Sequence, residues 1–229
     1  KGTVVVFNGE IYNYKELRSR FFPGFSFRSG SDTEVLLLLY EKFGHDCLQY
    51  LNGMFAFALW DPELQELFMA RDRAGEKPFY YTFHKGVFAF ASELRALLKL
   101  PGFNRSIDQD ALYHFLTFNL LAPPQTMFSG IEKLPPAHFM VIGKNGVPDI
   151  KRYWTPHYQE LEHTNEDELA IQLEKKLSAS VQLRMVSDVP VGAFLSGGVD
   201  SSAMVSMMSE KVSTRVHTYS IGFEGKSDY

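Results

Sequence analysis

Two patterns of hydrophobic and polar positions divide the chain. The first part is dominated by short apolar or alternating runs separated by turn residues, which is typical of β-strands. Six such runs predict strands at residues 3–7, 54–59, 67–70, 79–83, 87–91 and 137–142. Helical patterns lie between groups of strands, and this arrangement favours a layered α+β domain over regular β–α–β alternation.

Helical periodicity is clearest at residues 32–43. Ser31 is the predicted N-cap, Glu34 follows three residues later as in a capping box, and Gly44 is the predicted stop. Two shorter helices are predicted at residues 92–98 and 109–118. These helices would supply the layers that cover the predicted strands.

A second region with a different pattern follows. Residues 164–167 combine an N-cap with acidic first-turn residues and precede a long amphipathic helix at residues 168–185. Its predicted apolar face consists of Leu169, Ile171, Leu173, Leu177 and Val181. The continuous apolar run at residues 191–195 favours a strand buried on both faces. The predicted domains are therefore residues 1–155 and 156–229.

Composition narrows the class of protein. The 229-residue chain has a formal net charge of −4, which argues against a nucleic-acid binder that neutralises phosphates. The single cysteine, Cys47, excludes an intramolecular disulfide framework, and we expect it to be a buried packing residue. No apolar run approaches the roughly 20 residues of a membrane span, and the first residues do not resemble a signal peptide. These features favour a soluble cytoplasmic protein.

Both ends of the chain lie in patterned sequence. Residues 3–7 already form a strand pattern, and residues 217–223 form another just before the last residue. Natural domains usually begin and end in exposed, weakly patterned segments. We therefore expect this chain to be part of a larger protein, with ragged natural termini as the alternative.

The most specific local pattern follows the apolar run at residues 191–195. Residues 196–202 have the sequence SGGVDSS and lead into a helical segment, so a strand, a glycine turn and a helix N-terminus are predicted in succession. Unpaired N–H groups and the helix dipole suit this place to a phosphate. Gly197 and Gly198 would let the backbone approach an anion without interference from a Cβ atom.

Polar side chains in this loop extend the same interpretation. Hydroxyl donors are supplied by Ser196, Ser201 and Ser202. Asp200 would repel phosphate unless it binds a cation, so we interpret it as a Mg²⁺ contact beside a polyphosphate. A Ser/Gly-rich turn that only caps a helix is the alternative.

Residues 196–202 resemble the pyrophosphate loop of ATP pyrophosphatases, which cleave ATP to AMP and pyrophosphate. The resemblance implies that ATP binds here, with Leu195 at the entry to the loop. It further implies that Phe194, Ile221 and Gly222 approach the adenine base.

A second set of candidate residues lies near the start of the chain, where residues 8–14 have the sequence NGEIYNY. The Asn8 amide and the Gly9 N–H can donate to the oxyanion that forms when a glutamine amide is attacked. Glu10 and Asp32 are carboxylates that could hold the α-ammonium group of glutamine. In isolation, a turn tripeptide and a first-turn acid would be the simpler interpretations. The segment resembles the glutamine-site motif of class II glutamine amidotransferases, which are N-terminal-nucleophile hydrolases.

Further segments resemble the same family in the same order, at residues 31–34, 51–61, 71–81, 90–93 and 131–136. A glutamine domain of this class followed by a pyrophosphatase loop is similar to the asparagine synthetase family. The resemblance implies a four-layer αββα sandwich followed by the start of a Rossmann-like α/β nucleotide domain, and it allows a homodimer. It also implies that glutamine, ATP, Mg²⁺ and a carboxylate such as aspartate give asparagine, glutamate, AMP and pyrophosphate through an acyl-adenylate.

One departure from the family concerns the nucleophile. These hydrolases attack glutamine with an N-terminal cysteine, whereas residue 1 is Lys1 and Cys47 lies far inside the chain. The family's arginine for the glutamine carboxylate would also lie upstream of Lys1. We therefore expect this chain alone to be inactive. Three alternatives stay open: a relative that amidates another carboxylate, a β-lactam-forming relative, and a non-catalytic protein that binds glutamine or a nucleotide.

Overall fold

The computed structural model describes residues 2–159, 165–187 and 189–222. The chain divides into two compact units, residues 1–157 and 158–229. Within the described ranges, no helix has both the length and the hydrophobicity that crossing a membrane requires.

The first unit contains two antiparallel sheets. Its strands are β1 (Val4–Ile11), β2 (Gly53–Asp61), β3 (Glu66–Arg71), β4 (Tyr80–His84), β5 (Val87–Ala91), β6 (Glu132–Lys133), β7 (His138–Ile142) and β8 (Pro148–Arg152). Its helices are α1 (Tyr14–Phe21), α2 (Asp32–Phe43), α3 (Leu94–Leu97) and α4 (Gln109–Phe118), with a 3-10 helix at Gly44–Gln49. One sheet has the order β1-β2-β3-β7-β8, and the other has the order β5-β4-β6.

Helix α2 covers one face of the five-stranded sheet. The Ser31 hydroxyl accepts a hydrogen bond from the Thr33 N–H at its start, and Gly44 ends the helix with a φ of 57°. The buried residues of α2 are Val35, Leu36, Leu39 and Tyr40. They share a hydrophobic cluster with Phe55 and Phe57 of β2. Full burial of one such side chain stabilises the fold by roughly 1.5–3 kcal/mol, so this contact holds α2 against the sheet.

The opposite face of the same sheet packs against the second sheet. Because side chains alternate along a strand, Ala56 and Ala58 of β2 lie on the face opposite to Phe55 and Phe57. They share a second cluster with Tyr81 of β4. The layers therefore run from helices through the five-stranded sheet to the three-stranded sheet, and α3 contacts β4 and β5. The predicted mixture of helices and sheets is confirmed.

The second unit contains α5 (Glu166–Arg184), β9 (Gly192–Phe194), α6 (Val199–Lys211) and β10 (His217–Tyr219). Strands β9 and β10 are parallel neighbours, with Ala193 opposite Thr218. Helix α6 connects these two strands, so the three elements form one β–α–β unit. Helices α5 and α6 pack together, and each buries one residue, Val181 and Met208 respectively.

The prediction that residues 191–195 form a strand buried on both faces is wrong. The observed strand β9 has three residues, and the Phe194 side chain is 79% exposed. Within the described residues β9 pairs with β10 alone, so this small sheet has few neighbours that could cover it.

The predicted helix at residues 168–185 exists, but it begins at Glu166 and ends at Arg184. Its N-cap is Asn165, whose side chain accepts a hydrogen bond from the Asp167 N–H, while Thr164 lies outside the described residues. Of the predicted apolar face, Val181 is buried, whereas the exposed members include Leu169, Ile171 and Leu173. The apolar-face prediction is therefore correct for only part of the helix.

Four elements of the first unit were not predicted: α1, the 3-10 helix at Gly44–Gln49, β6 and β8. Helix α1 fully buries only Leu17, while Tyr14 and Phe21 pack partly buried against the same cluster, so its apolar stripe is short. Strand β8 has the sequence PDIKR and is mostly exposed. Apolar and polar residues therefore do not alternate along it as they do along a half-buried strand. Strand β8 is held by its antiparallel pairing with the preceding strand β7, and α1 contacts α2.

Candidate functional site

Strand β1 carries the predicted oxyanion residues. Asn8 is paired with Ala56, a member of the cluster between the two sheets, so Asn8 lies on that face of the five-stranded sheet. Its side-chain amide Nδ2 donates a hydrogen bond to Ser92 Oγ at 2.9 Å. One N–H of the amide is thus used by Ser92, and the second N–H is the one that could donate elsewhere.

Gly9 is required by the close approach of β1 and β2. A Cβ atom at Gly9 would lie 2.1 Å from the Met54 carbonyl oxygen, and the φ of Gly9 is +152°. Gly53 of β2 is equally constrained, because a Cβ atom placed there would lie 2.1 Å from the Glu10 carbonyl oxygen. No side chain larger than hydrogen fits at these two positions without separating the strands.

Asp32 links the start of α2 to β1. Its Oδ2 accepts a hydrogen bond from the Ile11 N–H at 2.9 Å. This bond brings Asp32 next to the segment that contains Asn8, Gly9 and Glu10, although 21 residues separate Asp32 from Ile11. The Glu10 side chain is exposed. Three of the four predicted residues are therefore consecutive on one strand, and the fourth is tied to the same strand.

Glu34 does not close the predicted capping box. Its carboxylate accepts hydrogen bonds from the N–H groups of Arg28 and Ser29 and from the Ser29 hydroxyl, at 2.7–2.8 Å. The hydrogen bond from Arg28 is the main cause that lowers the pKa of Glu34 below its usual value. Glu34 thus holds the segment before α2 instead of capping α2 itself.

The loop between β3 and β4 is organised by Asp72, which is only 1% exposed. Its carboxylate accepts hydrogen bonds from four backbone N–H groups within 3.2 Å. The four donors are Phe55, Ala74, Glu76 and Lys77. Asp72 therefore fixes the loop to strand β2 from the inside.

Arg71 also stabilises the loop between β3 and β4. Its guanidinium donates to the carbonyl oxygens of Gly75, Lys77 and Leu134 at 2.7–2.8 Å. Burial lowers the pKa of Arg71 below its usual value, while the neighbouring Asp72 charge raises it. The resemblance at residues 71–81 includes Arg71 and Asp72 but does not indicate these roles. An Asp followed by a glycine turn is a local feature that could have indicated such a loop.

Cys47 is buried in the cluster beneath α2, as predicted. Burial raises the pKa of its thiol to about 12. Since a nucleophilic cysteine requires a thiolate, Cys47 is a packing residue rather than a catalytic one.

The predicted phosphate loop has the expected strand–turn–helix form. Gly197 has a φ of +83°, and Gly198 is the N-cap of α6. No side chain of the described residues caps this helix N-terminus. Space around Gly197 is open, because a Cβ atom placed there would meet no atom within 4 Å. Asp200 is the acidic residue of the first turn.

Hydroxyl groups surround the start of α6. Ser196 Oγ lies 3.1 Å from Ser201 Oγ, which also donates to the Gly198 carbonyl oxygen. Ser202 Oγ donates to the same carbonyl at 2.8 Å. The three serines are therefore brought together at an exposed helix N-terminus, which is an arrangement suited to an anion.

The predicted adenine contacts lie at the ends of the two parallel strands. Leu195 N–H donates to the Tyr219 carbonyl oxygen at 2.8 Å, and Ser220 Oγ donates to the Leu195 carbonyl oxygen at 2.6 Å. These bonds bring Phe194 and Leu195 beside the segment that leads to Ile221 and Gly222. The side chains of Phe194 and Ile221 are 79% and 80% exposed, so both are accessible to a ligand.

The chain matches two sequence families. Residues 1–154 match the family described as "Glutamine amidotransferase domain", and residues 172–229 match the family described as "Asparagine synthase". The expected resemblance to asparagine synthetases is thereby confirmed.

Individual relatives agree with these matches. The chain is 39% identical to asparagine synthetase [glutamine-hydrolyzing] 3 of Bacillus subtilis, over 98% of this chain and 37% of the relative. It is 33% identical to the amidase chry2 of Gibberella zeae, over 92% of this chain and 31% of the relative. The chain spans less than half the length of these curated relatives. Among solved structures, glutamine phosphoribosylpyrophosphate amidotransferase of B. subtilis aligns with 95% of this chain and 45% of its own, at 19% identity and a TM-score of 0.46.

Proposed function

Because this chain belongs to the glutamine amidotransferase domain family, we propose that it is part of an enzyme that transfers the amide nitrogen of glutamine to a carboxylate with consumption of ATP. Aspartate is the proposed acceptor, which makes asparagine the product. The observation that carries the proposal is the order of the two family matches, amidotransferase first and asparagine synthase second, in one chain.

In the glutamine half-reaction, β1 provides the groups that would orient the substrate. The second N–H of the Asn8 amide and the Gly9 N–H would stabilise the oxyanion, and the fixed backbone of β1 would hold both donors in place before the reaction. The Glu10 and Asp32 carboxylates would bind the α-ammonium group of glutamine. The nucleophilic thiolate would come from a cysteine outside the present sequence.

In the ATP half-reaction, the loop at residues 196–202 would bind the pyrophosphate portion of ATP. The uncapped N-terminus of α6 supports this role, since its N–H groups match phosphate oxygens, and the three serine hydroxyls lie beside it. Attack of the acceptor carboxylate on the α-phosphorus would give an acyl-adenylate and pyrophosphate, and ammonia would then displace AMP. Asp200 would hold Mg²⁺ beside the phosphates, because one carboxylate together with phosphate oxygens is a usual Mg²⁺ site. Phe194, Leu195, Ile221 and Gly222 would contact the adenine.

The same proposal extends to architecture and context. We propose that residues 1–155 form an N-terminal-nucleophile αββα domain and that residues 156–229 begin a Rossmann-like nucleotide domain. The stacked sheets of the first unit and the β–α–β unit of the second support these assignments. The single cysteine and the formal net charge of −4 support a cytoplasmic enzyme that binds no nucleic acid. The proposal also includes a homodimer, which only the resemblance to the family supports.

A second candidate is transfer of the amide nitrogen to a different carboxylate. The match to a relative named as an amidase, at 33% identity, favours keeping this candidate. We assign none of the described residues to binding of the acceptor. The activity assay therefore has to identify which carboxylate is the acceptor.

The test uses the whole protein that contains this chain, with its own N-terminus. It is incubated with glutamine, Mg-ATP and aspartate, and asparagine, glutamate, AMP and pyrophosphate are quantified. We expect the four products in equal amounts. Replacement of aspartate by other carboxylates tests the second candidate. Absence of AMP formation with every acceptor would contradict the ATP-dependent function.

Matched variants separate the two half-reactions. Asp32→Asn should abolish the use of glutamine while activity with free ammonia persists. Asp200→Asn should lower both activities, because it acts at the ATP site. Equal losses of both activities in the Asp32→Asn variant would contradict its role in glutamine binding.

A further inference from the structure

A cavity of about 270 Å³ lies in the first unit beside the loop between β3 and β4. Its charged lining residues are Arg71 and Lys133, and no Asp or Glu is among the residues that line it. Apolar walls are formed by Pro78, Phe79 and Pro123. The cavity therefore combines two cationic groups with an apolar surround.

Neither cation is neutralised by a partner within the described part of the chain. No carboxylate there forms an ion pair with Arg71 or Lys133. Asp72 is adjacent to Arg71 in sequence, but its two oxygens already accept four backbone N–H groups. The Asp72 charge raises the pKa of Arg71, but neither Arg71 nor Lys133 has a carboxylate within ion-pair distance among the described residues.

This arrangement is electrostatically unfavourable in the absence of a ligand. Burial lowers the pKa of Lys133 below its usual value, and repulsion by Arg71 lowers it further. Burying like charges together costs free energy unless an opposite charge compensates them. An anion in the cavity would supply that compensation.

Both side chains retain donors for such an anion. Arg71 uses one hydrogen bond from each of its three nitrogens for backbone carbonyl oxygens, which leaves one N–H on each terminal nitrogen. Lys133 Nζ donates to the Leu121 carbonyl oxygen at 3.1 Å, which leaves two of its three N–H groups. The bonds already formed orient the two side chains, so an anion would meet fixed donors.

We propose that this cavity binds a phosphate group, either as free phosphate or on a small phosphorylated molecule. Two cationic side chains match the charge of a phosphate better than that of a monoanionic carboxylate, and arginine and lysine are the side chains that proteins use for phosphate. The volume is slightly below the range of roughly 300–1,000 Å³ for drug-sized ligands, which suits a small ligand. All the residues that line this cavity belong to the first unit, and the proposal does not depend on the proposed function.

The test is an NMR titration of the full chain with inorganic phosphate at constant ionic strength. We expect saturable shifts of the amide resonances of Gly75, Phe79 and Leu121. Lys133→Met should weaken phosphate binding about tenfold, because it removes a charged hydrogen-bond donor. The control is Lys144→Met, which removes the same charge from an exposed position and should leave the affinity unchanged.

A charge-conserving variant and a comparison of ligands test whether the cavity binds phosphate specifically. Lys133→Arg, which keeps the charge, should retain binding and guards against misfolding of the Met variant. Glycerol phosphate that binds more tightly than inorganic phosphate would identify a phosphorylated molecule as the ligand, and equal affinity would identify free phosphate. The proposal is overturned if the native chain shows no saturable shifts, if both Met variants bind equally, or if acetate binds as tightly as phosphate.

Discussion

Two glycine-containing loops follow strands in this chain. They differ in whether a side chain accepts hydrogen bonds from their backbone N–H groups. In the loop at residues 72–77, the buried Asp72 carboxylate accepts three N–H groups of the loop itself and one from β2. In the loop at residues 196–202, no described side chain caps the start of α6. The first loop satisfies its own donors, whereas the second presents donors to solvent.

The difference separates a loop that is held internally from the loop that we propose binds phosphate. N–H groups that are shielded from water and lack partners are costly, so a loop packed against the core benefits from an internal acceptor such as Asp72. An exposed helix N-terminus can leave its N–H groups to water and exchange that water for an anion. The two kinds of loop should therefore respond very differently to removal of their acidic residue.

The largest expected effect is that of Asp72→Ala. Four backbone N–H groups, one of them buried and three partly buried, lose their acceptor, and we expect the free energy of unfolding of the first unit to fall by about 4 kcal/mol. Urea denaturation followed by tryptophan fluorescence measures it, because both tryptophans, Trp60 and Trp154, lie in this unit. The control Asp149→Ala removes an exposed acid and should change stability by less than about 1 kcal/mol. Similar effects of the two variants would remove the distinction between the loops.

Gly9→Ala tests whether the strand that precedes α1 is as constrained as the Asp72 loop. The new Cβ atom would collide with the Met54 carbonyl oxygen, and we expect a loss of about 3 kcal/mol in the same assay. Gly143→Ala is the matched control, since a Cβ atom there would meet nothing within 4 Å. A Gly9→Ala variant as stable as this control would contradict the close approach of β1 and β2.

Glu34→Gln should give a smaller, pH-dependent loss of stability. The pKa of Glu34 is lowered in the folded state, so its contribution is complete above the unfolded-state value of 4.5 and is lost as the pH falls through the lowered value. The difference in unfolding free energy between native chain and variant should therefore be present at pH 7 and vanish in strong acid. Glu41→Gln, on the exposed side of the same helix, is the control. A difference that is independent of pH would refute this explanation.

The smallest expected effect is that of Asp200→Asn on folding. Because Asp200 is exposed and bonds to no loop amide in the described structure, we expect a change within about 0.5 kcal/mol. Hydrogen exchange of the α6 amides measures the local stability. A loss as large as that of Asp72→Ala would mean that Asp200, like Asp72, is part of the internal structure of its loop.

Local sequence was sufficient for elements whose boundaries are set by neighbouring residues. The bounds predicted for α2 and α4 agree with the structure, because each has a side-chain N-cap and an abrupt end. The turn and the start of a helix at residues 196–202 were also predicted, because the glycines and serines that form them are adjacent in sequence. Strand β8 was missed because its residues are mostly exposed and do not alternate, although its partner is the preceding strand β7, and α1 was missed because it has few apolar positions.

The candidate sites divide in the same way. The residue types at Asn8–Glu10 and at the serine-rich loop follow from the sequence and already predict an oxyanion site and a phosphate site. Only the tertiary structure revealed that Asn8 donates to Ser92, 84 residues away, and that Asp32 is bonded to β1. It also brought Lys133 to the cavity beside Arg71 and left Phe194 exposed. The physical reason is the separation along the sequence over which each interaction acts. Caps, turns and periodicity depend on adjacent residues, whereas burial and charge compensation depend on segments that only the folded chain brings together.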